Sequence, residues 1–180
     1  WEYLRQRGLS AVRYHAGLEA EERRQNQEAF AYGQAQLMVA TNAFGMGIDK
    51  SNVRYVVHHN MPGSIEAYYQ EAGRAGRDGE PSECLLLWSD GDISTCRFFI
   101  DQESGNEELS PEEAEAVRAS RRRMLEAMVG YCYTTECLRS YILRYFGEEG
   151  ALACGNCANC DGDFRAIDVT DEARAVMRCV

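Results

Sequence analysis

Three cysteines at two-residue intervals constrain the fold of this chain more than any other feature. They lie in the segment Cys154-Gly-Asn-Cys157-Ala-Asn-Cys160. Gaps of two residues allow successive thiolates to converge on one metal ion, and the intervening glycine and asparagines tolerate the tight backbone that this requires. A tetrahedral site needs a fourth ligand, and no histidine follows the cluster. The upstream candidates are Cys137, which is favoured because it begins a predicted helix that could fold back, and Cys132.

The metal that this spacing favours is a structural zinc ion (Zn2+). Four thiolates leave zinc no open coordination position, so the ion would hold the fold together and take no part in catalysis. An iron–sulfur cluster is the alternative, and it would make the purified protein brown. Disulfide bonds are disfavoured because the sequence shows no secretion signal. The other cysteines, Cys84, Cys96 and Cys179, are expected to be ordinary core or surface residues.

The net charge of −10 argues at first against a protein that binds nucleic acid. The acidic excess, however, is concentrated between residues 83 and 115, and the segment that follows is basic. Its arginines form either a solvated helix face or a contact with DNA phosphates. They are Arg118, Arg121, Arg122, Arg123, Arg139 and Arg144. No apolar run approaches the roughly 18 residues of a membrane span, so no membrane partner is expected.

Short apolar segments alternate with helical patterns in the first half of the chain. The predicted strands are 10–14, 36–40, 53–57 and 84–88. Helices are predicted over about 19–31 and from Ile65 onward, where apolar residues recur at i, i+3, i+4 and i+7. This alternation predicts an α/β domain with a parallel sheet of buried strands.

The second half of the chain has a helical pattern. A polar linker is predicted over 101–106, and Ser110-Pro-Glu-Glu113 then combines three helix-start signals. The helix that follows is predicted to run to about Gly130, and another to cover about 135–146. Residues 163–180 are predicted to form a linker and the first helix of a further unit.

Two polar motifs follow predicted elements of the first half. The loop from Ala40 to Lys50 contains Gly45 and Gly47, which suit a backbone that approaches a ligand, but Asp49 before Lys50 rules out a phosphate-binding P-loop. The second motif is Gln70-Glu-Ala-Gly-Arg74-Ala-Gly-Arg77-Asp-Gly. If the helix from Ile65 continues, Gln70, Arg74 and Arg77 share one face. Two such arginines could stabilise a transferring phosphoryl group, or could form surface salt bridges.

Together these motifs resemble the RecQ family of superfamily 2 DNA helicases. Residues 1–103 look like its second RecA-like domain with the first strand missing, through Tyr14-His-Ala-Gly-Leu18 and the two motifs above, which match motifs V and VI. Residues 104–162 resemble its helical zinc-binding subdomain, and residues 163–180 the entry to its winged-helix domain. The resemblance therefore implies an α/β RecA-like domain followed by a small helical zinc-binding subdomain.

The resemblance also implies roles for individual residues. In motif VI, Arg77 would be the arginine finger, Arg74 would lie beside it on the phosphates, and Gln70 would couple the nucleotide to domain closure. In motif V, Thr41 would lie near a DNA phosphate, with Gly47 and Asp49 near the nucleotide or the domain interface. His15 would contact DNA or serve as a structural hydrogen-bonding residue. The zinc ligands would be Cys137, Cys154, Cys157 and Cys160.

The implied activity is that of an ATP-dependent 3′–5′ DNA helicase in DNA repair and recombination, cytoplasmic and associated with the chromosome. ATP and Mg2+ would bind between two RecA-like domains, and the P-loop that holds them is absent from this sequence. The chain is therefore expected to be an inactive part of a longer protein, whose partners are its own N-terminal RecA-like domain and DNA, both single strands and duplex junctions. The alternative is a zinc-dependent interaction module on an inactive RecA-like scaffold.

Overall fold

The computed structural model describes residues 1–41, 50–102 and 110–162, together with Thr170, Arg174, Met177 and Arg178. The chain divides into two compact units. The first unit comprises Trp1–Met61 and Glu66–Ser89, and the second comprises Pro62–Ile65 and Asp90–Val180. None of the described helices is both long enough and apolar enough to cross a membrane.

The first unit begins with a short helix and a β-α-β segment. These elements are α1 (Glu2–Gln6), β1 (Ala11–Tyr14), α2 (Ala20–Ala31) and β2 (Leu37–Ala40). The two strands are parallel, with Ala11 opposite Leu37. Helix α2 is polar and is held on β1 by side-chain bonds, because Arg13 pairs with Glu22 at 3.1 Å and Asn26 donates to the Arg13 carbonyl at 2.9 Å.

A second β-α-β segment completes the first unit. It consists of β3 (Tyr55–His58), α3 (Ile65–Ala72) and β4 (Glu83–Leu86), and its strands are also parallel. Parallel neighbours require a crossover connection, which α2 and α3 supply in the two segments. The predicted α/β class with parallel strands is therefore confirmed.

The strands are less buried than the sequence predicts. In β3 the exposure alternates, since Tyr55 and Val57 are 63% and 55% exposed whereas His58 is buried. The neighbouring Leu85 on β4 is 43% exposed. Because successive side chains of a strand point to opposite faces, one face of this sheet is covered and the other is open. The prediction of strands buried on both faces is wrong for these residues.

The second unit is helical. It consists of α4 (Asp90–Gln102), α5 (Pro111–Tyr133), α6 (Leu138–Tyr145) and the short α7 (Ala158–Asp161). Its buried side chains include Leu125, Met128 and Tyr131 from one face of α5. The ring of Tyr131 meets that of Tyr141 on α6 edge to face, with 5.8 Å between centroids.

Helix α5 begins where its sequence signals predict. The Ser110 hydroxyl accepts from the backbone N–H of Glu113 at 3.3 Å, and the Glu113 carboxylate accepts from the backbone N–H of Ser110 at 2.8 Å. This reciprocal capping box satisfies donors that an uncapped helix start would leave unpaired. Helix α4 was not predicted as a helix, and it reaches into the first residues of the predicted linker.

Candidate functional site

Four cysteines converge in the second unit. The sulfur atoms of Cys137, Cys154, Cys157 and Cys160 all lie within 4.8 Å of one another. The sulfur atoms of Cys154 and Cys160 are 3.9 Å apart. A tetrahedral zinc site with Zn–S bonds of about 2.3 Å places its sulfur atoms about 3.8 Å apart, whereas a disulfide requires about 2.05 Å. The four thiols therefore have the donor set and the spacing that zinc requires.

The ligands are placed by two helix starts and one side-chain amide. Cys137 is the N-cap of α6 and Cys157 is the N-cap of α7. Asn159 lies between two of the ligands, and its amide donates to the backbone carbonyls of Thr134 at 2.8 Å and Glu136 at 2.7 Å. This amide therefore attaches the loop of three cysteines to the turn that carries Cys137.

The electrostatics of the cluster also favour a divalent cation. The hydroxyl and the backbone N–H of Ser140 lower the pKa of the Cys137 thiol to about 6. The backbone N–H of Asn156 favours a thiolate at Cys154, but burial and the three neighbouring thiols outweigh it and raise the pKa of Cys154 to about 12. Four thiols so close together cannot all ionise without a compensating positive charge, which a metal dication supplies.

Cys132, the other candidate for the fourth ligand, is not part of this cluster. Burial and the nearby Asp92 carboxylate raise the pKa of Cys132 to about 11. Its exclusion as the fourth ligand rests on position, since Cys137 and not Cys132 brings its sulfur atom within 4.8 Å of those of Cys154, Cys157 and Cys160.

The arginine motif adopts a different backbone from the one predicted. Helix α3 ends at Ala72, because the hydrogen bonds that follow tighten to the i→i−3 pattern, as from Ala75 N–H to the Ala72 carbonyl at 3.0 Å. Gln70 is exposed on the helix, whereas Arg74 and Arg77 lie in the turns beyond it. The expectation that these three side chains share one helical face is therefore wrong.

Gly76 fixes the path of these turns. Its φ angle is +63°, and its backbone N–H donates to the Val53 carbonyl at 2.9 Å. A Cβ atom at Gly76 would lie 2.5 Å from the Ser82 hydroxyl oxygen. Arg77 comes next, exposed at the surface, and its Nε donates to the Gly73 carbonyl at 3.2 Å.

The covered face of β3 contains a contact that sequence reasoning missed. Nε2 of His58 lies 2.8 Å from a carboxylate oxygen of Glu71, the residue after Gln70. The His58 ring packs 5.1 Å from the ring of Tyr68, and its buried Nδ1 has no hydrogen-bonding partner among the residues that the structure describes. The sequence offers one indication of this pair, which is a histidine at the end of an apolar strand followed by a helix that carries a glutamate.

His15 and Thr41, the two residues to which the resemblance assigns DNA contacts, lie on the same cavity. Both line an open cavity of about 410 Å³ at the carboxyl ends of β1 and β2. The Thr41 N–H donates to the Tyr14 carbonyl at 3.1 Å, which continues the strand pairing into the cavity wall. The aromatic ring of Trp1, the guanidinium of Arg13 and the carboxylate of Glu2 also line it, so the rim is aromatic and carries both signs of charge. Gly47 and Asp49 lie outside the described residues.

Two family models match the chain in succession. The helicase conserved C-terminal domain matches residues 1–79, and the RecQ zinc-binding family matches residues 90–161. The second match begins with the first residue of α4 and ends with the last residue of α7. The fold and the four-thiol site thus define a helicase C-terminal region that carries a zinc-binding module.

Curated relatives place the chain more narrowly, and it belongs to the RecQ family. It is 48% identical over its whole length to the ATP-dependent DNA helicase RecQ of Bacillus subtilis. Identity is 41% over 99% of the chain with the protein of the same name from Pasteurella multocida, and 40% over 98% of the chain with the RecQ-like DNA helicase BLM of Xenopus laevis. The chain spans 29%, 27% and 13% of the lengths of these relatives.

Proposed function

We propose that this chain forms the arginine-bearing half of an ATP-dependent DNA helicase that moves 3′ to 5′ along single-stranded DNA. The relatives that support this proposal are named ATP-dependent DNA helicases. The observation that carries it is the backbone of the motif around Gly76, which is fixed by hydrogen bonds while the side chain of Arg77 is exposed. A rigid backbone that presents a guanidinium is suited to meeting a phosphate on another domain.

In this proposal ATP and Mg2+ are held by a preceding RecA-like domain of the same protein, and hydrolysis supplies the energy of movement. When the domains close, Arg77 reaches the γ-phosphate and stabilises its developing negative charge. Arg74 binds the phosphates beside it. Gln70, exposed on the last turn of α3, senses the nucleotide and couples it to closure. Gly47 and Asp49 of motif V are assigned to the nucleotide or the domain interface.

The DNA contact is assigned to the cavity at the ends of β1 and β2. There Thr41 would donate to a phosphate of the single strand, with His15 beside it. Replacing His15 with alanine should therefore weaken the binding of single-stranded DNA. Unchanged affinity in this variant would return His15 to a structural role.

The second, helical unit contributes to the proposed helicase through its fold. Three of its arginines already pair with local carboxylates, since Arg118 and Arg122 contact Glu115 and Arg144 contacts Glu136. These pairs favour a solvated face for those three side chains over a DNA contact. We further infer a role in DNA repair and recombination, at duplex junctions as well as single strands, and a cytoplasmic location with the chromosome.

The experiment is DNA-stimulated ATP hydrolysis and unwinding by the full-length protein with and without Arg77→Ala. Loss of an arginine finger should lower ATP turnover by roughly 10³-fold or more while ATP binding is largely kept. Arg24→Ala is a matched control, because Arg24 pairs with Glu21 and Glu28 on the surface of α2, in the same unit. Near-normal turnover in Arg77→Ala would exclude the finger assignment. A full-length protein with no DNA-stimulated ATPase would favour a zinc-dependent interaction module.

A further inference from the structure

Arg54, the residue just before β3, uses all three of its guanidinium nitrogens. One terminal nitrogen, Nη2, forms an ion pair with the Asp78 carboxylate. The other, Nη1, donates to the Pro81 carbonyl at 3.1 Å, and Nε donates to the Asn52 carbonyl at 3.3 Å. The Arg54 and Asp78 side chains are about one-third and one-quarter exposed, so both ends of the pair are partly shielded from water.

Backbone bonds join the same two segments on either side of this ion pair. Before it, Gly76 N–H donates to the Val53 carbonyl at 2.9 Å. After it, Glu83 N–H donates to the Arg54 carbonyl at 2.8 Å. The Asp78 carboxylate also accepts from the Glu80 N–H at 3.1 Å. The segment from Gly76 to Glu83 is therefore attached at its start, its middle and its end.

Arg77 lies between the first two of these attachments. Its neighbours Gly76 and Asp78 are held by Val53 and Arg54, which lie just before β3. Arg77 itself donates from Nε to the Gly73 carbonyl. The Arg54 hydrogen bond keeps the pKa of Asp78 below its ordinary value, so this carboxylate is ionised throughout the neutral range.

We propose that Arg54 is a positioning residue for the arginine finger: through Asp78 and the Pro81 carbonyl it holds the loop that aims Arg77. This inference rests on the proposed role of Arg77 and adds a residue outside motif VI to it. In this role Arg54 acts on turnover through the geometry of Arg77, because its guanidinium nitrogens are used by Asn52, Pro81 and Asp78.

The chemistry of the contact predicts that arginine is required. Three acceptors lie in different directions, and the planar guanidinium fork reaches them with three separate nitrogens. A lysine would keep the positive charge and the attraction to Asp78, but a single ammonium cannot hold the same fork of contacts. Arg54→Lys should therefore restore only part of what Arg54→Ala loses.

The test is steady-state ATPase of the full-length protein with saturating single-stranded DNA. Arg54→Ala should lower kcat roughly 10- to 100-fold, the size of effect that a displacement of about 1 Å at a reacting group produces, with KM for ATP little changed. Arg54→Lys should fall between Arg54→Ala and the unchanged protein. Arg24→Ala, which removes a comparable surface ion pair on α2, should have the kcat of the unchanged protein.

A double variant separates positioning from a general loss of stability. If Arg54 acts only through Arg77, adding Arg54→Ala to Arg77→Ala should produce no further fall in kcat. A further fall equal to that of Arg54→Ala alone would overturn the proposal. So would a normal kcat in Arg54→Ala when Arg77→Ala is inactive, and in both cases the helicase function would stand. A normal kcat in Arg77→Ala would overturn the finger assignment and this proposal together.

Hydrogen exchange supplies a readout of the loop itself. In Arg54→Ala the peptide covering residues 73–80 should lose protection, because Asp78 and the Pro81 carbonyl lose the side chain that holds them and the neighbouring Gly76 N–H opens more often. Protection in α2 should not change. Unchanged protection in 73–80 would show that the loop is held without Arg54 and would also overturn the proposal.

Discussion

At the scale of single residues, two side chains and one missing side chain determine the geometry of both candidate sites. Asn159 attaches the cysteine loop and Arg54 attaches the arginine loop, each through bonds to backbone carbonyls. Gly76 contributes by having no side chain at all. Asn159 and Gly76 lie within motifs that the sequence made visible and Arg54 lies in a predicted strand, yet the roles of all three depend on partners far away in the chain.

Gly76→Ala should strongly lower the free energy of unfolding of the protein. A left-handed φ costs an alanine about 1–2 kcal/mol, and the forced contact with Ser82 adds the cost of overpacking, about 1–3 kcal/mol. Two controls separate these contributions. Gly79 has a φ of +84°, Gly63 has no positive φ, and a Cβ atom added at either position would meet open space. In urea unfolding, the free energy of unfolding should fall most in Gly76→Ala, less in Gly79→Ala and least in Gly63→Ala. Equal losses in the first two variants would show that the contact with Ser82 contributes nothing.

Asn159→Asp should weaken zinc binding while keeping the shape of the side chain. The aspartate has no N–H to donate to the Thr134 and Glu136 carbonyls. Loss of an outer-shell partner typically lowers metal affinity by 10- to 100-fold, roughly the fall that we expect. Competition with a chromogenic chelator measures it, and Asn156→Asp in the same loop is the control. Equal affinities in the two variants would show that the Asn159 amide does not hold the site.

At the scale of elements, the sequence predicted those helices and strands whose signals lie within a few neighbouring residues. The start of α5 was predictable because Ser110 and Glu113 cap each other within four residues. Helix α4 was missed because its first turns contain Gly91, Ser94 and Thr95, which are poor helix formers. The Ser94 and Thr95 hydroxyls bond back to the carbonyls of Asp90 and Gly91. Its stability comes from burying Ile93 and Ile100, a tertiary effect.

The two candidate sites also differ in how far local sequence signals encode them. The cysteine loop was predictable because ligand spacing is a local property, and the structure brings Cys137, the fourth ligand that the sequence favours over Cys132, into the same cluster. The arginine motif was expected on a continuous helix because its i, i+4, i+7 spacing fits one. The positive φ of Gly76 and its bond to Val53 end that helical path, and a contact so remote in sequence leaves no periodic pattern.

Ser110→Ala should lower the stability of the second unit by about 1 kcal/mol, the usual value of a helix N-cap. The hydroxyl that accepts from Glu113 N–H would be lost. Ser120→Ala, in the interior of α5, is the control and should be neutral or slightly stabilising, because alanine is the better helix former. Thermal unfolding of the zinc-loaded protein compares the two. A Tm for Ser110→Ala that matches Ser120→Ala would show that the capping box contributes nothing.

At the scale of the whole molecule, the two units depend on different sources of stability. The first unit contains two β-α-β segments with their own buried side chains, such as Ala11, Leu18 and Tyr68. In the second unit, α6 has eight residues and α7 has four, and helices so short are unstable in water alone. The four thiols join these two helices, so this part of the fold should depend on the metal.

Removing zinc with a strong chelator should therefore affect one unit more than the other. Hydrogen exchange should increase in peptides covering α6, α7 and the end of α5, while β1 and α2 keep their protection. Alkylation followed by mass spectrometry should show four newly reactive thiols, at Cys137, Cys154, Cys157 and Cys160. Cys137→Ser should reproduce the exchange pattern without chelator, and Cys84→Ser, outside the cluster, should not. Equal deprotection of both units would show that the metal stabilises the whole chain.

The position of Cys137 at the start of α6, well before the other three thiols, has a consequence for the unfolded chain. A metal bound to all four closes a loop from Cys137 to Cys160, and a covalent link across a loop of this size stabilises a fold by about 3–4 kcal/mol, chiefly by restricting the denatured ensemble. A chain that captures zinc before it folds begins the search for its native state with this loop already closed. Refolding of the second unit should then be faster when zinc is added before denaturant is diluted than when it is added afterwards.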